Sequence, residues 1–253
     1  MIDITAIPAL RDNYIWAVHD KTIAVIVDPG EAQPVLAFLT EHALQLSGIL
    51  CTHRHADHIG GIAELRGVYN VPVYGRRHPA NPHITHDLHA GDRLELASPG
   101  ISFSIIEVPG HLDDHLAYLG NDALFCGDVL FGAGCGRNFE GSLAQLHQSL
   151  EKLAALPGGT RVYCAHEYTE ANLRFALACE PGNPQIWQRV RDTQELRAAG
   201  LPSLPSSIAL EKATNPFLRC DSPELIGTLQ SRGLPHDNAL AVFSALRRWC
   251  NDF

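Results

Sequence analysis

The chain has 253 residues, a formal net charge of -9 and a pI near 5.8, which argues against nucleic acid as its main partner. With 45% hydrophobic and 19% charged residues it reads as a soluble globular protein, long enough for one large domain or a domain plus a smaller one. Its seven scattered cysteines include no C-x-x-C pair, which disfavours a disulfide framework or a structural zinc site and fits reduced thiols in a cytoplasm.

The first residues show neither a basic n-region nor an apolar h-region, so no signal peptide is expected. Residues 23–27, the most apolar run near them, are too short to span a bilayer. Residues 1–30 read as strands, with 14–18 and 23–27 forming a hairpin over His19-Asp20-Lys21-Thr22, and Asp28-Pro29-Gly30 breaks the second strand. Val35, Leu36, Leu39 and Ala43 recur at helical spacing between 34 and 44. The apolar run 48–51 reads as a buried strand.

That run leads into Thr52-His53-Arg54-His55-Ala56-Asp57-His58-Ile59-Gly60-Gly61. His53 and His55, two apart in an extended segment, point the same way. Ile59, Ile62 and Leu65 start a helix near Asp57. Asp57 and His58 sit where strand becomes helix and turn toward a second point. Imidazole and carboxylate in this arrangement suit two neighbouring ions of zinc, iron or manganese.

Residues 71–74 predict a short strand near a sheet edge, because of Pro72. The stretch 76–90, with His78, His83, His86 and His89, reads as a solvated loop. Strands are expected at 101–106, 116–119 and 123–126, the last two around Gly120-Asn121-Asp122. The last ends in Gly127-Asp128. A helix over 142–156 stops at Pro157-Gly158-Gly159, and the strand 161–164 ends in Ala165-His166. His111, Asp128 and His166 therefore each follow a strand, which is how a rigid scaffold presents a site. After residue 169 helices are expected at 170–179, 184–199, 223–232 and 237–249, with a Pro/Ser-rich connector at 201–207 and a possible short strand near Ile208.

The decapeptide resembles the H-x-H-x-D-H signature of the metallo-β-lactamase superfamily. The resemblance implies an α+β fold, the αββα sandwich, over residues 1–169; the helices expected after it make 170–253 a separate small all-helical domain, which most of the superfamily lacks. It also implies a ligand set: His53, His55 and His111 for one divalent ion, Asp57, His58 and His166 for a second, and Asp128 bridging them. Within the superfamily the chain resembles glyoxalase II, the hydroxyacylglutathione hydrolases. The segments that carry this are Leu10 to Tyr14, Thr52 to Gly61, Pro109-Gly110-His111, Gly127 to Phe131, Gly134-Cys135-Gly136-Arg137, Glu140-Gly141, Ala165 to Thr169 and Asn215-Pro216-Phe217.

This second resemblance implies hydrolysis of S-D-lactoylglutathione to D-lactate and glutathione, the second step of methylglyoxal detoxification, by a hydroxide shared between two ions, most readily zinc, with iron or manganese as alternatives. Asp57 and Asp128 would be the catalytic carboxylates. Arg137, Phe139, Tyr168, Arg247 and Arg248 would bind glutathione, with Arg247 preferred over Arg248 as the carboxylate contact. Phe139 stands where the family often has a hydroxyl-bearing aromatic, and Cys250 where it often has lysine, so fewer polar contacts to glutathione are expected. A monomer without membrane or nucleic-acid partners is expected. Persulfide dioxygenase on glutathione persulfide, or an inactive metal-binding protein, would be the rival readings.

Overall fold

The computed structural model describes residues 2–253, which form two compact units, one made of 2–107 with 114–127 and the other of 108–113 with 128–253. The first unit opens with β1 (Asp3–Ala9), β2 (Asn13–His19) and β3 (Ile23–Val27), an antiparallel meander. Residues 24–27 of β3 are buried without alternation, the mark of a strand covered on both faces. Helix α1 (Gln33–Glu41) takes Pro34 in its first turn, where a missing N–H costs nothing, and buries Val35, Phe38 and Leu39. The chain returns as β4 (Gln45–Leu50), parallel to β3, the crossover that a helix permits.

The predicted helix after β4 is two pieces, α2 (Ala56–Ile59) and α3 (Ile62–Val68), interrupted at Gly60-Gly61. The break has a steric reason: Gly61 donates its N–H to the Pro29 carbonyl at 2.8 Å, and a Cβ there would meet the backbone of Glu31 and Ala32 at 2.5–2.6 Å. Strand β5 (Val73–Gly75) and the two-residue β6 (His86–Asp87) complete a six-stranded sheet in the order β1-β2-β3-β4-β5-β6. Residues 71–74 thus lie near the sheet edge as expected, β5 being next to the edge strand. Pro72 precedes β5, and β6 pairs on its outer side. The stretch 76–90 also carries more structure than a solvated loop, because Ile84 and Leu88 are buried and anchor it. Ile15, Ala17, Ile26, Ile49, Val35, Leu39, Ile62 and Leu65 form the apolar core on this sheet.

The same unit continues with β7 (Arg93–Leu96), β8 (Ile101–Glu107), β9 (Leu116–Gly120) and β10 (Ala123–Gly127), an antiparallel meander. Asn121 and Asp122, at φ 49° and 58°, make the tight β9–β10 turn, residue types that tolerate positive φ and match the twist of the strands.

The second unit begins its regular structure with the small hairpin β11 (Leu130–Phe131) and β12 (Gly134–Cys135). Helix α4 (Leu143–Ala154) starts with a capping box, Ser142 and Gln145 bonding each other's backbone N–H groups. Next come β13 (Arg161–Cys164), α5 (Thr169–Cys179) and α6 (Pro184–Ala198). The short strand expected near Ile208 is β14 (Ser206–Ser207), paired with β13, and Ile208 itself opens α7 (Ile208–Thr214). Helices α8 (Pro223–Ser231) and α9 (Ala239–Asn251) finish the chain. Among the described residues no helix is long and apolar enough to cross a membrane.

Candidate metal and substrate site

In the first unit the ligand-type residues follow the end of β4. Asp28, just after β3, organises them. Its carboxylate accepts from the Thr52 N–H (2.7 Å), the Thr52 hydroxyl (2.6 Å) and the Nδ1–H of His58 (3.0 Å). Proton donation from Nδ1 fixes the His58 tautomer with its lone pair on Nε2, the form a metal takes. Asp28, His53 and His58 each offer an atom within 4.8 Å of the others, yet Asp28 is already committed to three donors and orients a ligand instead of being one. Its φ of 53° is tolerated better by aspartate than by most residues.

His53 and His58 are buried, and their rings lie 4.0 Å apart. His53 Nε2 is 3.1 Å from His55 Nδ1, as the two-residue spacing predicts. The buried His115 stacks on His53 at 4.6 Å, with an interplanar angle of 17°. Arg54 turns away and pairs with Asp114. Asp57 is fixed by Asn13, whose Nδ2 donates to its Oδ2 at 3.0 Å. Gly30 lets α2 approach, since a Cβ there would lie 2.0 Å from the Asp57 carbonyl oxygen.

In the second unit His111, Asp128 and His166 are buried together. The Nε2 atoms of His111 and His166 lie 3.7 Å and 3.3 Å from Oδ2 and Oδ1 of the same Asp128 carboxylate. His111 donates Nδ1–H to the Arg137 carbonyl at 2.8 Å, so its lone pair is also on Nε2, facing Asp128. A lone pair and a carboxylate oxygen in that relation call for a cation between them. Two atoms each about 2.0–2.1 Å from one tetrahedral ion lie about 3.3 Å apart, close to the spacings here and to the 3.5 Å between His58 Nε2 and Asp57 Oδ2. The His and Asp groups therefore fit divalent metal ions in donor chemistry and spacing.

The expected substrate residues fall into three kinds. Arg137, Phe139 and Arg248 are exposed. Phe139 sets its ring edge-on to His111, with centroids 5.2 Å apart, and bonds the His111 carbonyl through its N–H at 3.1 Å. Tyr168 lies stacked on His166 at 4.7 Å and 7° and packs against Phe131. Arg247 is different: it is 4% exposed, donates to the Cys135 carbonyl at 2.7 Å and to Asn251 Oδ1 at 3.1 Å, and covers the Phe217 ring. Arg247 and Arg248 do diverge as neighbours on one helix should, but the preferred arginine faces inward.

Two thiols beside the site, Cys135 and Cys164, are held protonated at neutral pH. Burial pushes the Cys135 thiol up to about 11, offset in part by Arg247, and the Cys164 thiol up to about 12. The sequence reading missed Asp28, Asn13 as the Asp57 anchor, and His115. Asp28 has a signal, the Asp-Pro-Gly break directly after a buried strand, which by itself marks only the strand's end.

Residues 9–166 match the metallo-beta-lactamase superfamily model, and residues 167–253 match the model described as hydroxyacylglutathione hydrolase C-terminus. Hydroxyacylglutathione hydrolases of Nitrosomonas eutropha and Photobacterium profundum are 49% and 48% identical, with 100% of both chains covered in each case. Among solved structures, ETHE1 from Myxococcus xanthus is 27% identical with a TM-score of 0.66, covering 99% of this chain and 98% of its own. BLEG-1 B3 metallo-beta-lactamase, at 23% identity and a TM-score of 0.63, covers 87% of this chain and 100% of its own. The fold is that of the metallo-β-lactamases, with a helical C-terminal region.

Proposed function

The chain belongs to the hydroxyacylglutathione hydrolase family of metallo-β-lactamase-fold enzymes, thiolester hydrolases acting on S-D-lactoylglutathione, and from that premise we propose how its own residues divide the work. His53, His55 and His111 hold one divalent ion, Asp57, His58 and His166 hold a second, and Asp128 is shared. Zinc is the proposed metal, with iron or manganese acceptable to the same donors. The observation that carries this is the convergence of the His111 and His166 Nε2 atoms on the two oxygens of Asp128, with the His111 tautomer set from behind by the Arg137 carbonyl.

When bound, the two cations supply hydroxide at neutral pH and polarise the thioester carbonyl. The protein's part is positional. Asp57, steadied by Asn13, orients the attacking water. The Asp28 carboxylate keeps His58 in register. The leaving glutathione thiol has a pKa of about 8.5, so it departs as thiolate without a dedicated acid. Tyr168, packed flat on His166, and Phe139 flank the site as substrate contacts. Exposed Arg137, assisted by Arg248, attracts the carboxylates of glutathione. Residues 1–169 are proposed as the metal domain and 170–253 as the part that completes the substrate site. A monomer in the cytoplasm belongs to the same reading; the seven cysteines form no disulfide, which suits a reducing compartment. The full-length family match favours neither the dioxygenase nor the inactive alternative.

The test is hydrolysis of S-D-lactoylglutathione, followed through its thioester absorbance, before and after chelation and after return of zinc, iron or manganese. Activity should vanish on chelation and return with metal. Activity that survives complete chelation would remove the metal reading.

A further inference from the structure

The hairpin β11–β12 is gripped along its whole length by side chains from the helical part of its own unit. Asn215 Nδ2 donates to the carbonyls of Phe131 (3.4 Å) and Gly134 (2.9 Å). Asn172 Nδ2 donates to the Gly132 carbonyl at 2.9 Å, and Arg247 Nη1 to the Cys135 carbonyl at 2.7 Å. The Ala133 N–H donates to Glu211 Oε2 at 2.8 Å. Each residue from 131 to 135 thus has a backbone group bonded by a side chain drawn from α5, α7, α9 or Asn215.

These side chains are fixed in turn. Glu211 is fully buried and accepts from Arg189 Nη2 at 2.5 Å. Arg189, 4% exposed, also bonds the Thr214 and Ser206 hydroxyls at 2.6 Å and 3.1 Å. A buried ion pair with this many polar partners is a costly way to join helices, since apolar residues of similar volume often serve stability as well or better. What such a network secures is one conformation of the segment it grips.

That segment has a proposed metal ligand at one end and holds another from its far end. Asp128 lies two residues before β11. The Gly136 N–H closes the hairpin onto the Val129 carbonyl at 3.2 Å, and Gly136 sits so close to the Asp128 carbonyl that a Cβ would lie 1.9 Å from its oxygen. One residue on, the Arg137 carbonyl holds His111 Nδ1. The hairpin therefore sets Asp128 directly and His111 through Arg137.

We propose that Arg247, together with Asn172, Glu211 and Asn215, is a positioning residue of the metal centre, acting on the segment from Asp128 to Arg137. The proposal rests on the reading of Asp128 and His111 as ligands. It gives the helical part a second task beyond completing the substrate site, and it gives Arg247 a role besides the carboxylate contact expected from the sequence.

The test uses full-length Arg247→Met, Arg247→Lys and Asn172→Ala proteins, stripped of metal and reloaded with Co(II). Three readouts need no substrate: the visible Co(II) spectrum, Co(II) affinity by chelator competition, and amide hydrogen exchange across 130–137. Arg247→Met and Asn172→Ala should weaken Co(II) binding by about tenfold or more, alter the spectrum and speed exchange. With substrate, they should lower kcat more than they raise KM. Arg247→Lys, which can still donate to the Cys135 carbonyl, should recover most of the loss. A wild-type spectrum and affinity in Arg247→Met, with only KM raised, would make Arg247 a substrate contact and overturn the proposal. If Arg247→Met does not fold, Asn172→Ala, on the less buried side of the hairpin, carries the test with the same two outcomes. Asp128→Ala measured alongside separates the two layers. Should it keep the wild-type spectrum, the ligand reading itself fails. Should it lose the spectrum while Arg247→Met does not, only the positioning proposal fails.

Discussion

Replacing Asp28 with Asn should loosen one metal ion while leaving the fold largely in place. The carboxylate accepts three hydrogen bonds, from the Thr52 N–H, the Thr52 hydroxyl and His58 Nδ1, at 2.6–3.0 Å. An amide of the same shape keeps one acceptor oxygen but turns an N–H2 group toward donors on the other side. At least one charge-assisted bond is lost, worth about 1.5–3 kcal/mol. Asparagine tolerates the positive φ at this position, so little backbone strain is added. If most of the loss falls on the orientation of His58, metal affinity drops by about 10–100-fold, or ~1.4–2.7 kcal/mol. The remainder, a few tenths of a kcal/mol, lowers Tm of the metal-free protein by only about 1 °C or less. The assay is metal content per chain after dialysis against graded chelator, with thermal unfolding of the metal-free protein as the control. Two ions held with wild-type affinity would refute the argument that Asp28 sets the His58 ligand.

Arg137→Ala should raise KM for S-D-lactoylglutathione about tenfold and flatten its rise with added salt, leaving kcat nearly unchanged; initial rates at several ionic strengths decide it. Cys250→Lys, restoring the charge usual in the family, should lower KM in the same assay. In the metal-free protein, stability should fall as pH rises from 9 toward 12. The unfolded chain releases its Cys135 and Cys164 protons near 9.0, while burial holds them to about 11 and about 12 in the fold. Urea unfolding across that range should show the decline, and Cys164→Ala should make it shallower.

Most of the candidate metal site was legible because its residues are concentrated. His53 to His58 puts ligand-type side chains into one turn after a buried strand, and His111, Asp128 and His166 each follow a strand visible as an apolar run. Helix α4 was legible from Ser142, its leucine spacing and the Pro-Gly-Gly stop. Other features are carried by contacts that no local pattern encodes. Strand β7, Arg-Leu-Glu-Leu, is too short and too charged to stand out. Helix α7 was hidden because Ile208 follows two serines that do pair as a strand. The roles of Asp28 and Glu211 depend on partners 24 and 78 residues away, Thr52 and Ala133. Nothing in the spacing of Leu246-Arg247-Arg248 showed that the first arginine reaches a carbonyl 112 positions back in the chain.

The central claim is that Asp128 is shared by two ions. Elemental analysis of wild type and Asp128→Ala, each purified under identical metal supply and then assayed on S-D-lactoylglutathione, tests it most directly. The account predicts two divalent ions per wild-type chain. It predicts loss of metal in Asp128→Ala, turnover reduced by orders of magnitude, and a retained far-ultraviolet dichroism spectrum. An Asp128→Ala protein that still holds two ions and turns over thioester at a near-normal rate would contradict it.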